Sequence, residues 1–122
     1  MKKYSRFLVI LFLLISSNAY AEKGYVKGTV EFIRVHDDYS GHQWKPPVFW
    51  FTLNGVTSAG NCPKWRNQNV LFVGTSDFAY SMVLATYSSG KEIALSFDDS
   101  IKNASNFCIA KYITAGDPPP LN

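Results

Sequence analysis

Cys62 and Cys108 are the only two cysteines in the chain, and the bond between them is the strongest single constraint on what it can fold into. The pairing follows from where the chain is sent. Lys2, Lys3 and Arg6 open the sequence with positive charge, and Phe7 to Ile15 is unbroken apolar. Ser16, Ser17 and Asn18 then lead to Ala19-Tyr20-Ala21, the small-x-small pattern that signal peptidase accepts. The apolar run would span only about 14 Å as a helix, half of a bilayer's hydrocarbon core. Residues 1–21 therefore read as a cleaved signal peptide of bacterial style, and the protein as periplasmic or secreted. An even cysteine count in an exported chain implies a disulfide. Closing a loop of about 47 residues is worth roughly 4 kcal/mol on the chain-entropy account, comparable with the whole stability of so small a domain.

Processing also changes the charge. The full chain carries 12 Lys+Arg against 9 Asp+Glu. Three of the basic residues leave with the signal, so the mature chain is close to neutral. Nucleic acid needs a basic face, which a neutral chain does not advertise, and an acidic membrane surface is disfavoured for the same reason. The mature length permits one domain, residues 22–115, followed by a tail, 116–122, in which Pro118, Pro119 and Pro120 remove three ladder donors. The tail reads as an exposed extended end.

Five runs have strand character: Val26 to Val35, Val48 to Leu53, Val70 to Val73, Glu92 to Phe97 and Phe107 to Ile113. In the first, the apolar phase moves from Val26, Val30 and Phe32 to Ile33 and Val35, which predicts a bulge or bend. In the second, Phe49, Phe51 and Leu53 share one face, and Trp50 requires the other to be covered too. One helix interrupts the strands. Ser76 is a good N-cap, Asp77 suits the positive end of the helix, and Gly90 suits a left-handed C′ position, giving a helix over Asp77 to Ser89. Phe78, Met82 and Ala85, flanked by Val83 and Thr86, are its expected inward face. Three strands, a helix and two strands is the order of a five-stranded OB-fold barrel, in which the last strand is expected beside the first. A small β-sandwich with one helical crossover is the alternative.

Phe78-Ala79-Tyr80-Ser81-Met82-Val83-Leu84-Ala85-Thr86-Tyr87-Ser88-Ser89-Gly90-Lys91-Glu92-Ile93, a helix stopped by Ser-Gly-Lys and followed by a strand, resembles a pattern in small exported bacterial OB-fold proteins. It is also similar to the B subunits of AB-type toxins of the pertussis and subtilase cytotoxin kind. That resemblance runs from about Val26 to Tyr112. It implies a homo-oligomeric ring that binds sialylated glycans, and it transfers no sugar-binding residue to a position in this chain.

Few residues point to chemistry. His36-Asp37-Asp38 and His42 are material for a divalent metal, but no third spaced ligand follows, and the segment reads as a solvated polar loop. No metal or cofactor is assigned. There is no G-x-S-x-G elbow, and paired cysteines supply no nucleophile, so no catalytic residue is assigned and the chain reads as non-enzymatic. A small hydrolase or metal-binding protein is the least favoured reading. The aromatic residues say more. Tyr39, Trp44 and Trp65 fall in predicted loops near Lys45, Lys64 and Arg66. Rings beside polar groups are the usual material of sugar and protein recognition. The competing reading makes the rings extensions of the core. The expectation is thus a module that binds a glycan or a protein through Tyr39, Trp44 and Trp65, with a structural or inhibitory envelope role against a protein partner as the alternative. Asn103-Ala104-Ser105 matches a glycosylation triplet and would mark an exposed loop.

Overall fold

The computed structural model describes residues 22–38, 42–116 and 118–121. Residues 1–21, expected to be a signal peptide, and Tyr39 lie outside the described residues. Six strands and one helix follow in the order β1 (Lys23–Val35), β2 (Phe49–Leu53), β3 (Leu71–Gly74), α1 (Asp77–Ser89), β4 (Glu92–Asp98), β5 (Cys108–Ile109) and β6 (Tyr112–Ala115). They form one mixed, curled half-barrel sheet in the order β5-β3-β2-β1-β4-β6.

β1 organises the sheet because it is long enough to serve two partners. Lys23 to Thr29 pairs with β4, and Val30 to Val35 pairs with β2. The hand-over coincides with a register shift between Val30 and Phe32, where the sequence changes apolar phase. β2 and β3 pair antiparallel and are buried on both faces. Phe49, Phe51, Leu53 and Phe72 enter the main core with Ile93, Leu95 and Phe97 of β4. Trp50, Leu71 and Val73 point the other way into a second, smaller apolar cluster. Trp50 is 4 % exposed, so the second face of β2 is covered, as its sequence demanded.

The chain departs from the sequence expectation in three places. The final strand run is two strands, giving six rather than five. Ala110 N–H donates to the Val73 carbonyl of β3 at 2.9 Å, and the next amide, Lys111 N–H, donates to Ser96 of β4 at 2.8 Å. The run therefore changes partner at Ala110-Lys111, and neither half can continue through the switch. Nor does this run lie beside β1. β5 pairs parallel with β3, and β6 pairs antiparallel with β4, because both edges of β1 are already taken by β2 and β4.

The third departure is the face of α1. Its ends are as read: Ser76 accepts the Ala79 N–H through its hydroxyl, and Gly90 closes the helix at φ 68°. The buried residues, however, are Val83 and Thr86, with Ala79 and Tyr80 packed beside them. Phe78 is 89 % exposed, and Met82 is exposed as well. The tail lies back over β6, where the Leu121 N–H donates to the Tyr112 hydroxyl at 2.8 Å. Cys62 and Cys108 are bonded, joining the loop after β2 to β5.

Candidate functional site

The second apolar cluster is roofed by loop residues. Trp44 and Val48 come from the segment between β1 and β2, Trp65 from the β2–β3 segment, and Phe107 and Ile109 from the chain around Cys108. Trp44 and Trp65 are thus brought to one layer over Trp50, and each is half-buried there. The disulfide fixes two sides of this roof, since Cys62 starts the Trp65 segment and Cys108 follows Phe107.

Trp65 sits at the foot of a tight turn. Gln68 N–H donates to the Trp65 carbonyl at 3.0 Å, and the two central residues, Arg66 and Asn67, are both left-handed at φ 50° and 59°. Such a conformation is costly for a side chain as large as arginine, so the surroundings must enforce it. Part of that enforcement is a hydrogen bond from the Asn69 side-chain amide to the Glu31 carboxylate on β1. The Trp65 indole then lies 5.1 Å, centre to centre, from Trp50, with Phe32 edge-on at 5.6 Å.

Two guanidinium groups complete the arrangement. Arg34, opposite Trp50 in the β1–β2 register, has its guanidinium carbon 5.1 Å from the Trp50 ring centre and 5.8 Å from that of Trp65. Arg66 lies 4.9 Å from the Trp65 ring. Both are cation–π distances. The acid on the same strand as Arg34, Glu31, accepts from the Asn69 side-chain amide. The result is a ledge of indole flanked by guanidinium, able to stack on a flat apolar face and to accept an anionic group beside it.

The first loop meets this ledge from the other end. The His36 and His42 rings are 5.2 Å apart, and Trp44 stacks on His36 at 6.0 Å and touches Phe107 at 6.4 Å. His42 Nδ1 accepts the Trp44 backbone N–H at 3.0 Å, which puts the neutral ring's proton on Nε2. His36 Nδ1 is buried with no hydrogen-bond partner among the described residues. Its pKa is pushed below the usual histidine value by desolvation, then by His42 and by Arg34. A cleft of about 240 Å³ opens beside it, between Pro47, Val48, Asp77 and Tyr80. Among the described residues no group of three or more His, Cys, Asp or Glu side chains comes together as a metal site.

The triplet Asn103-Ala104-Ser105 is not an exposed acceptor. Asn103 Oδ1 accepts the backbone N–H groups of Ser105 and Phe107 at 3.2 and 3.0 Å, and its Nδ2 is buried. It shapes the turn that delivers Phe107. Gln43 donates to the Ser105 hydroxyl and ties that turn to the first loop.

Sequence reasoning selected Trp44 and Trp65 and missed Arg34, Phe32 and Phe107. The phase change in β1 was the available signal for two of them. After it, Phe32 and Arg34 alternate with Ile33 and Val35 and so share the outward face. No helix among the described residues is long and apolar enough to cross a membrane. No protein-family model, curated protein or solved structure matches the chain.

Proposed function

We propose that this chain is an exported, non-enzymatic binding module of the OB-barrel type that takes an acidic glycan on the Trp65 ledge. One observation carries the reading: the Arg34 and Arg66 guanidinium groups both lie against the Trp65 indole. An indole offers a sugar ring its apolar stacking surface, and a guanidinium offers a carboxylate two parallel donors. The barrel type is supported by the connectivity. The final run touches β3 on one side and β4 on the other, and β1 bends between β2 and β4. OB barrels present the face of strands 2 and 3 and the adjoining loops to oligosaccharides, and the ledge stands on that face here. The resemblance to toxin B subunits points to sialylated glycans, whose carboxylate suits the two arginines.

A panel of sialylated and neutral glycans is the test. Wild-type protein is expected to select acidic members, and Arg34→Ala or Arg66→Ala to weaken them at least about tenfold, as hot-spot truncations do. Undiminished binding by both variants would show that the ledge is not the binding site.

A second reading, association with another protein chain or with copies of itself, is favoured by α1. Phe78, Met82, Leu84 and Tyr87 are all exposed on it, and Asp77 is its only charged residue. Phe78 and Met82 lie along one side of the helix and Leu84 and Tyr87 along the other, each pair available to a partner chain.

A further inference from the structure

Asp99 follows β4 directly and is 6 % exposed. Its two carboxylate oxygens are used separately. Oδ1 accepts from the backbone nitrogen of Glu22 at 2.9 Å, and Oδ2 accepts the Asn61 N–H at 2.8 Å. Space for this is made by Gly60, where a Cβ would stand 2.6 Å from Oδ2. Among the described residues no lysine or arginine forms an ion pair with Asp99. The nearby cations are occupied differently: Lys23 and Lys111 act on the neighbouring Asp98, and the Lys102 amine meets the Asn61 carbonyl at 3.5 Å. A buried carboxylate served by neutral donors alone is costly.

Signal-peptide cleavage, on which this inference rests, would supply a cation at this place. Cleavage after Ala21 frees the nitrogen of Glu22, the atom already 2.9 Å from Asp99. Hydrolysis of the Ala21–Glu22 peptide bond by a signal peptidase adds water, leaves a carboxylate on Ala21 and an amine on Glu22, and that amine takes up a proton at neutral pH. We propose that Asp99 and Gly60 form a socket for the new α-ammonium of Glu22. Maturation thereby converts a neutral amide hydrogen bond into an ammonium–carboxylate pair that fastens the start of β1 to the end of β4 and to the loop carrying Cys62. A charge-assisted bond of this kind is about twice as strong as the neutral one it replaces.

Four exported proteins test this: wild type, a form with one serine inserted between Ala21 and Glu22, Asp99→Asn, and the combination. Mass spectrometry of the wild type should give a chain starting at Glu22; a different start overturns the proposal. The insertion moves the amine one residue away, and is expected to lower Tm by about 5 °C when Asp99 is present. It should have little further effect when Asn is present. An equal loss in both backgrounds, or none with Asp99, overturns it. If Asp99→Asn does not fold, amine-directed acylation of the wild type at neutral pH decides instead. The α-amine of the folded protein is expected to react at least tenfold more slowly than that of the unfolded chain, and equal rates would refute the socket. None of these readings depends on glycan binding, so failure here leaves the ledge standing, and the reverse.

Discussion

Trp65 shows how one side chain serves both stability and recognition. Its body packs on buried Trp50, Arg34 and Arg66 lie against the ring, and the rest of the half-buried indole stays open. The two contributions separate by substitution. Trp65→Ala removes a half-buried ring and is expected to destabilise by about 2 kcal/mol, less than a fully buried aromatic. Arg34→Ala, an exposed position, is expected to leave urea midpoints nearly unchanged while weakening ligand binding. Equilibrium unfolding of the two proteins checks both. The identity of Trp65 as a candidate was legible because an indole among lysine and arginine in a loop is unusual. Its packing was not legible. The partner that buries it, Trp50, lies on a strand fifteen residues earlier, and nothing local links the two. The contacts of Asp99 were not legible either, because they depend on Glu22, which is adjacent only after β1 pairs with β4.

Among the elements, α1 was read correctly at its ends and incorrectly across its width. Caps are local chemistry: the Ser76 hydroxyl and the left-handed Gly90 need nothing from the rest of the fold. Choice of face is tertiary, and a helix with Phe78, Met82, Leu84 and Tyr87 as well as Val83 has no dominant apolar stripe to decide it. Val83→Ala should therefore cost about 1–2 kcal/mol in thermal or chemical unfolding, and Phe78→Ser within about 0.5 kcal/mol of nothing. The first loop carries a pH dependence. The His36 pKa is lowered in the fold, so below about 6.5 the unfolded chain takes up a proton that the folded chain refuses. This histidine's share of stability is thus present at neutral pH and declines as pH falls from about 6.5 toward the lowered value. Urea unfolding from pH 7.5 to 5 should show a slope that His36→Phe reduces, with Trp44 emission following the same change because its ring stacks on His36.

For the whole molecule, the mostly β architecture, the position of the helix and the disulfide were all legible, each from a pattern that is nearly independent of the others. The split of the last strand was not, because Ala110 and Lys111 carry no break signal of their own. Only the spacing of β3 and β4 makes the chain change partner there. That split leaves β5 with two residues paired to β3, Cys108 and Ile109, and the bond from Cys62 adds a covalent fastening to this edge and to the Trp65 segment. Cys108→Ala is expected to cost about 2–5 kcal/mol and to expose Trp65, read as a lowered Tm with red-shifted emission.

The proposed function requires that an anion be recognised beside an indole. Titration calorimetry with a sialylated glycan and with the same glycan lacking its terminal acid measures that directly. Wild-type protein is predicted to bind the acidic form at least about tenfold more tightly, about 1.4 kcal/mol, and a double Arg34→Ala, Arg66→Ala variant that retains the wild-type Tm to lose the preference. Equal affinity for the two glycans, or a preference that survives removal of both arginines, would contradict it.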